Sequence, residues 1–379
     1  MDDLFEYLKW RGDIPFSQVP PTPVDAVIFS ELVYIHFDDI VSPDLAHPVF
    51  LKDAAKAFLE KPEKERISRL RLDEKLLSAA AASVRFGTAG LAFYRDLYIP
   101  EEETQFAAMA LLLEDGSAFL AFRGTDYSLT GWKEDFNMSF QDSIPAQREA
   151  LRYTREFAEV WPVIMRLGGH SKGGNIAVYA AAKSEPEVQQ RIAAVYNNDG
   201  PGFTESLMGD PGYLAMVPKI KTYIPQSSII GMLLEHEEPY SVVKSSLTGI
   251  LQHEIYSWGV IGGDFIHVEE VTESSRFIDG TIKRWVSDMD KEERSILVDK
   301  VFGLLGAGGK EQLFDLLHPM SIAASVKQLT SDESLRNLLS QTLQELKDAA
   351  SETLQEMKAE QNSCESNDLV VQSKKTDQE

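Results

Sequence analysis

Residues 167–175 read Leu-Gly-Gly-His-Ser-Lys-Gly-Gly-Asn, and this short segment decides the fold. The apolar run before it, residues 163–167, predicts a strand, and the small apolar residues 175–182 after it predict a helix. A serine on so sharp a turn between strand and helix has a strained backbone, so the positions two before and two after it must be small. Gly169 and Gly173 meet that requirement. Ser171 is therefore predicted to present its hydroxyl above the end of the strand.

A glycine-rich turn of this kind also has other interpretations. It could simply connect a strand to a helix, or it could bind a phosphate at the helix N-terminus. The nucleotide-binding P-loop is excluded by spacing, because Lys172 comes before the glycine pair and not after it. The flanking strand and helix favour a nucleophilic serine of the Gly-x-Ser-x-Gly type.

Strands and helices alternate along the middle of the chain. Apolar or alternating runs predict strands at residues 91–99, 105–113, 117–122, 163–167 and 192–196, with a turn at 114–116 joining the second and third. Helical patterns lie at 73–84, 147–160 and 175–182. This order indicates an α/β protein, specifically an α/β-hydrolase fold with a mainly parallel central sheet.

The C-terminal part has a different character. Beyond about residue 269 the patterns are helical, at 277–289, 292–305 and 310–317, and residues 333–360 predict a long amphipathic helix. We therefore expect a hydrolase domain over residues 1–310, including the N-terminal segment, a helical extension over 311–360, and a disordered polar tail over 361–379. The extension is expected to pack on the hydrolase domain or to mediate self-association.

Composition excludes several classes of protein. The formal net charge of −23 argues against a nucleic-acid partner, since nucleic acids are bound by basic surfaces. No apolar run approaches the roughly 18–20 residues that span a bilayer, so no integral membrane segment is expected. The acidic N-terminus does not resemble a secretory signal, and the single cysteine, Cys364, cannot form an intrachain disulfide. These features predict a cytoplasmic protein.

A second motif lies about fifty residues before the serine. Residues 119–126 read Phe-Leu-Ala-Phe-Arg-Gly-Thr-Asp, which predicts a strand that ends in Gly-Thr. An α/β-hydrolase takes one backbone N–H of its oxyanion hole from the loop after an early strand, and the other from the residue after the nucleophile. Those donors would be Thr125 and Lys172. Arg123 is expected to pair with Asp126 or Asp135.

Together these motifs resemble the class 3, or fungal-type, triacylglycerol lipases. The resemblance rests on Phe-Arg-Gly-Thr, on a tryptophan with an aspartate three residues later, and on Gly-His-Ser-x-Gly-Gly. More closely, over nearly residues 4–305, the chain resembles a bacterial family of lipase-related α/β-hydrolases labelled as a domain of unknown function. That likeness includes residues 7–12, 131–136, 169–175 and 197–202, and Gln252-His253 with Trp258.

A serine hydrolase needs a base, which in this fold follows the nucleophile and the acid along the chain. The histidines after Ser171 are His236, His253, His267 and His318. His253 is the predicted base, because the bacterial family has its Gln-His-x-x-x-x-Trp segment there. His267, in the alternating residues 264–268, is the alternative.

Asp199 is the predicted acid. It follows the strand pattern of residues 193–197 and precedes Gly-Pro-Gly, which places it at the carboxyl edge of the sheet. In fungal-type lipases the acid lies one strand later, where residues 223–230 contain no carboxylate. That departure leaves Glu235 and Glu237 as alternatives.

These residues predict a lipase- or esterase-like serine hydrolase that cleaves small-molecule acyl esters through an acyl-enzyme, without a cofactor or a metal. A thioesterase or acyltransferase would use the same residues, and an inactive scaffold that binds a partner is a further alternative. Lys172 stands where lipases have an apolar residue. Its ammonium could favour an anionic or polar substrate, or it could form a salt bridge.

Overall fold

The computed structural model describes residues 1–126, 128–288, 292–296, 298 and 344–357. An eight-stranded sheet forms its centre, with strand order equal to chain order, and a two-stranded sheet lies apart from it. The strands are β1 (Val49–Phe50), β2 (Gly90–Ile99), β3 (Thr104–Leu112), β4 (Ala118–Phe122), β5 (Met165–His170), β6 (Ile192–Asn198), β7 (Ile220–Pro225), β8 (Tyr240–Val243), β9 (Val260–Ile261) and β10 (Asp264–Phe265).

The large sheet is antiparallel at one end and parallel over the rest. Strands β1 to β4 pair antiparallel, with the predicted turn at residues 114–116 joining β3 and β4. Strands β4 to β8 pair parallel throughout. The carboxyl ends of β4, β5, β6 and β7 therefore meet at one edge, where loops of α/β proteins bind ligands. The predicted α/β-hydrolase fold with a mainly parallel sheet is confirmed.

Helices cover both faces of the sheet. They are α1 (Leu4–Arg11), α2 (Pro23–Leu32), α3 (Leu51–Glu60), α4 (Arg71–Ala82), α5 (Val84–Gly87), α6 (Leu129–Asn137), α7 (Pro145–Val160), α8 (Lys172–Lys183), α9 (Pro186–Arg191), α10 (Glu205–Met208), α11 (Pro211–Met216) and α12 (Glu273–Asp288). Short 3₁₀ turns include Ile230–Met232 and Gly249–His253. Residues 292–296 and 344–357 are also helical.

Each face of the sheet has its own apolar core. Helix α2 lies in the core of one face together with α1, α3 and α4, and Phe29 packs on Phe119 of β4 with ring centroids 5.0 Å apart. Helices α7 and α8 cover the other face, where Tyr153 and Ile176 are fully buried. Helix α2 is buried almost all round, which explains why residues 26–29 are consecutive apolar residues instead of following a helical period.

The described part of the C-terminal helix packs on α12. Ala349 and Thr353 are buried, and a Cβ on Gly280 of α12 would lie 2.8 Å from Thr353 Cγ2. Arg284 of α12 binds Glu352 at 2.9 Å. The predictions for residues 310–317, 333–343 and 358–379 lie outside the described residues. Among the described helices, none has both the length and the apolar character that crossing a membrane requires.

A buried ion pair between α2 and α5 provides a test of how the N-terminal helices are stabilised. Arg85 and Asp25 are fully buried, with Arg85 Nε 2.8 Å from Asp25 Oδ1. We expect Arg85→Met to lower the free energy of unfolding in urea by about 3–5 kcal/mol, because it leaves a buried carboxylate without its counter-ion. Arg71→Met is the control, since Arg71 is 93% exposed and pairs with the surface residue Glu63. An equal loss in both variants would contradict this account.

Candidate active site

Ser171 lies at the turn between β5 and α8, at the carboxyl edge of the parallel strands. Its backbone has φ 58° and ψ −134°, a conformation that residues other than glycine rarely adopt. Close packing explains the small neighbours: a Cβ on Gly169 would lie 2.2 Å from the carbonyl carbon of Gly173, and one on Gly173 would lie 2.2 Å from the carbonyl oxygen of Phe122. The fold therefore presents a strained, half-buried serine at this edge.

The predicted acid and base are in contact. Asp199 follows β6, His253 ends the 3₁₀ turn Gly249–His253, and His253 Nδ1 lies 2.6 Å from Asp199 Oδ2. A carboxylate can only accept, so Nδ1 carries the proton and Nε2 is the basic nitrogen. The side chain of Asp199 is 1% exposed and that of His253 is 21% exposed. The imidazole is thus accessible while the acid behind it is not.

Two residues of the loop after β7 hold the second oxygen of Asp199. Ser228 Oγ donates to Asp199 Oδ1 at 2.5 Å, and the backbone N–H of Gly231 donates to the same oxygen at 3.1 Å. This is the segment in which fungal-type lipases would have their acid, and here it contributes donors to an acid on the preceding strand. Sequence reasoning missed both residues, and a single serine or glycine gives no signal of such a contact.

The Gln-His-x-x-x-x-Trp segment has a structural explanation. Gln252 Oε1 accepts from the backbone N–H of Ser227 at 2.8 Å, and Gln252 Nε2 donates to the carbonyl of Leu247 at 2.7 Å. The indole of Trp258, which is fully buried, donates to the carbonyl of Gln252 at 2.9 Å. Gln252 and Trp258 thus fix the backbone on which His253 stands.

A second histidine lies behind the first. The His170 ring packs on that of His253 in a tilted arrangement with centroids 4.4 Å apart, and His170 Nε2 donates to the carbonyl of His253 at 2.8 Å. Burial holds the pKa of His170 well below its usual range, and the charges of His253 and Arg69 lower it further. His170 is therefore a neutral support for the His253 backbone. Its position directly before Ser171 was the only signal of this contact in the sequence.

The N-terminal part of the chain contacts the loop of His253 through Arg69, whose side chain is 7% exposed. Arg69 donates to Glu254, the residue after His253, at 2.7 Å, and to Glu31 of α2 at 2.7 Å. Arg69 also lies over the ring of Tyr34 at 4.8 Å. Sequence analysis missed these contacts, because Arg69 and Glu254 are 185 positions apart.

The loop after β4 lies directly beside the serine. A Cβ on Gly124 would be 2.4 Å from the carbonyl oxygen of His170 and 3.1 Å from Ser171 Cβ. The backbone N–H groups of Thr125 and Lys172 make no hydrogen bond to another described residue. Both predicted donors therefore stand next to Ser171 with their N–H groups unengaged by the described chain.

Comparison with known proteins places the chain in a family. The sequence profile of the Mbeg1-like family matches residues 80–303, more than half of the 379-residue chain. The chain belongs to the Mbeg1-like family. No curated protein sequence matches it.

Several solved lipase structures are similar to this Mbeg1-like chain at low identity. A mutant of MDLA from Penicillium cyclopium is 14% identical, with 64% of this chain and 83% of that chain covered and a TM-score of 0.37. A fungal lipase structure is 14% identical, with 62% of this chain and 83% of that chain covered and a TM-score of 0.35. The propeptide complex of Rhizomucor miehei lipase is 15% identical, with 49% of this chain and 64% of that chain covered and a TM-score of 0.32. At these TM-scores the similarity carries no information about activity.

The Lys172 side chain forms a salt bridge in this Mbeg1-like chain. Its ammonium is 1% exposed and lies 2.7 Å from Glu134 Oε2. Of the two roles considered for it from the sequence, the structure supports the salt bridge, because a buried and paired ammonium does not face the site.

The prediction for Arg123 is wrong. Its guanidinium binds both carboxylate oxygens of Asp96 at 2.7 Å, and neither Asp126 nor Asp135 is its partner. Arg123 continues β4, and its side chain reaches across β3 to Asp96 of β2 instead of following the loop. Asp126 instead accepts from the backbone N–H of Ser128 at 2.7 Å.

The residues that the sequence left as alternatives to His253 and Asp199 have different neighbours from those two residues. His267 is 43% exposed and lies 3.3 Å from Asp264. His236 binds Glu238 at 3.1 Å and the carbonyl of Gly231 at 2.9 Å. Glu235 and Glu237 are exposed, and Lys283 lies 3.4 Å from Glu235. His318 lies outside the described residues.

Among the described residues, one group of potential metal ligands lies near the end of β4. His36, Asp38 and Asp96 have ligand atoms within 4.8 Å of one another. Arg123 already supplies a positive charge to this group, with Nη1 at 3.3 Å from His36 Nε2 and both Nη atoms on Asp96. The donor set therefore does not fit a divalent cation, whose charge the guanidinium would oppose.

Proposed function

We propose that this Mbeg1-like protein is a serine hydrolase that cleaves carboxylic esters, with Ser171 as nucleophile, His253 as base and Asp199 as the acid that orients it. The observation that carries the proposal is the 2.6 Å contact between His253 Nδ1 and the buried Asp199, at the sheet edge that holds the strained Ser171. Nucleophile, base and orienting acid come from three different loops at one edge, as such a mechanism requires.

The proposed reaction has two halves. Ser171 Oγ attacks the ester carbonyl carbon while His253 Nε2 takes its proton, and the same proton then goes to the leaving alkoxide as the ester C–O bond breaks. In the second half His253 removes a proton from water, the resulting hydroxide attacks the acyl-enzyme, and the acid product leaves as Ser171 regains its proton. Asp199 stabilises the imidazolium in both halves.

The N–H groups of Thr125 and Lys172 are the proposed oxyanion hole. The negative charge that develops on the carbonyl oxygen needs donors already in place, because such donors need no reorganisation as the reaction proceeds. Lys172 begins α8, so the positive end of the helix dipole adds to the stabilisation. Support for this assignment comes from the packing of Gly124 against Ser171 and from the N–H groups of both residues, neither of which bonds to another described residue.

Apolar side chains beside the acid suggest an acyl site. Residues 229–234 contain Ile229, Ile230 and Met232, all half-buried, while Gly231 binds Asp199. If an acyl chain packs there, each buried methylene contributes about 0.8 kcal/mol. Two further methylenes would raise kcat/KM for p-nitrophenyl butyrate over acetate by up to about 15-fold.

The test of the proposal is hydrolysis of p-nitrophenyl butyrate by the wild type and by Asp199→Asn. We expect clear turnover by the wild type and a kcat about 10⁴-fold lower in the variant, because an asparagine lets the imidazole take the wrong tautomer. Glu235→Gln and Glu237→Gln are controls and should retain wild-type kcat.

Three results would change the proposal. A loss confined to Glu235→Gln or Glu237→Gln would move the acid to the later loop. Hydrolysis of an acyl thioester without any ester hydrolysis would indicate a thioesterase. If the folded wild type cleaves neither esters nor thioesters, a binding role would replace the proposed catalytic one.

A further inference from the structure

The side chain of Lys172 is unusual for the residue that follows a nucleophile. The side chain is 1% exposed, and the residue occupies the first position of α8. Lysine is almost never buried without partners, because taking an ammonium out of water is costly. Its surroundings therefore must provide acceptors for all three N–H groups.

Three acceptors are in place. Lys172 Nζ donates to Glu134 Oε2 at 2.7 Å, to the carbonyl of Gln105 at 3.1 Å and to Gln105 Oε1 at 3.2 Å. The contacts join the serine turn to α6, which contains Glu134, and to β3, which contains Gln105. With its three donors engaged, the ammonium has none left for a ligand.

Glu134 connects further elements at the same point. Its side chain is fully buried, and its Oε1 accepts from the backbone N–H of Ala146 in α7 at 2.8 Å. Its Oε2 also accepts from the backbone N–H of Gln105 at 3.3 Å. One carboxylate therefore holds α6, α7, β3 and the serine turn together.

The neighbouring residue of α6 holds the other proposed donor. Asp135 Oδ2 accepts from Thr125 Oγ1 at 2.5 Å, and Asp135 Oδ1 lies 3.8 Å from Lys172 Nζ. The first turn of α6 is also close, since a Cβ on Gly131 would lie 2.9 Å from Thr125 Cγ2. Burial raises the pKa of Asp135 to about 6 despite the nearby ammonium. Consecutive acidic residues thus bind the side chains of Lys172 and Thr125.

We propose that the Lys172–Glu134 pair is a positioning device that sets the separation of the two oxyanion N–H groups, with α6 as the spacer between them. The inference rests on the proposed hydrolase function. It gives the side chain of Lys172 a role in addition to that of its backbone N–H. Thr125 is attached to α6 through Asp135, and Lys172 is attached to α6 through Glu134. Loss of the pair would let the serine turn and the Thr125 loop move independently.

The expected effect falls on kcat. An oxyanion hole acts on the transition state more than on the bound substrate, so a displaced donor lowers kcat and leaves KM nearly unchanged. We expect Lys172→Met and Glu134→Gln each to lower kcat for p-nitrophenyl butyrate about 10- to 100-fold, less than the loss of a whole donor. Lys183→Met is the matched control, since Lys183 lies in the same helix and pairs with Asp210 near the surface.

The double variant Lys172→Met/Glu134→Gln separates positioning from stability. Each single variant leaves one buried charge unpaired and should lower the urea midpoint, whereas the double variant removes both charges and should recover it. The proposal predicts that kcat stays at least 10-fold low in the double variant, because methionine and glutamine do not bridge the two elements. Recovery of kcat together with the midpoint would overturn it, since the pair would then act through stability alone.

The outcome also separates this inference from the function on which it rests. Wild-type turnover that Ser171→Ala abolishes, together with wild-type kcat in Lys172→Met and Glu134→Gln, would overturn the positioning role and leave the hydrolase intact. A wild type without esterase activity would overturn both.

Discussion

Ser171→Ala is expected to lower kcat for p-nitrophenyl butyrate by about 10⁶-fold, as loss of a nucleophile does in serine hydrolases. The variant should fold, because alanine bears the same backbone strain as serine at φ 58°. Circular dichroism and a urea midpoint check the fold, and single-turnover kinetics measure any residual rate.

An exposed serine provides the control for this variant. Ser206 lies at the surface with its hydroxyl 3.0 Å from that of Thr204, so Ser206→Ala should retain wild-type turnover. Wild-type turnover in Ser171→Ala would remove Ser171 from the mechanism, whatever the strain of its backbone.

His253→Ala is expected to lower kcat by at least 10³-fold and up to about 10⁶-fold, because Ser171 would lose its base. Stability should change little, since Asp199 keeps its contacts with Ser228 and Gly231 and His253 is partly exposed. The measurement is kcat for p-nitrophenyl butyrate, together with the urea midpoint.

His267→Ala is the matched control, as the sequence left His267 the alternative base. Its ring is 43% exposed and pairs with the surface residue Asp264, so the variant should turn over like the wild type. An equal loss in His267→Ala, with His253→Ala near the wild type, would show that the base was misassigned.

The serine turn was predictable because its requirements are local. A strand, a sharp turn and a helix within about twenty residues leave a pattern of apolar residues and glycines that can be read directly. The same holds for β3 and β4, whose hairpin turn at residues 114–116 was placed correctly. Strand ends were less certain: β5 begins at Met165 and runs to His170, three residues beyond the predicted end.

Asp199 could be proposed because the fold constrains where such an acid stands, whereas His253 was proposed from the Gln-His-x-x-x-x-Trp segment of the family that the chain resembles. The carboxyl edge of a parallel sheet collects the residues that follow each strand, so an aspartate just after β6 was a strong candidate. The contact between the two could not be derived, since it depends on how the loop that carries His253 folds back. Glu235 and Glu237 remained open from the sequence for that reason.

Contacts between distant segments could not be predicted. Arg69 and Glu254, and Lys172 and Glu134, are single charged residues far apart in sequence, and nothing in a charged residue identifies its partner. Arg123 shows the same limit, because its partner Asp96 lies two strands away and not in the adjacent loop. These pairs depend on the packing of the whole sheet with its helices.

The central claim is that Ser171 is an activated nucleophile, and labelling with a fluorophosphonate tests it most directly. Trypsin cleavage after Arg166 and Lys172 releases the hexapeptide of residues 167–172, in which Ser171 is the only serine. Mass spectrometry of the labelled wild type should find the phosphonate on this peptide, with labelling strongly reduced in folded His253→Ala. A folded wild type that stays unlabelled, or that is labelled on a different peptide, would contradict the claim.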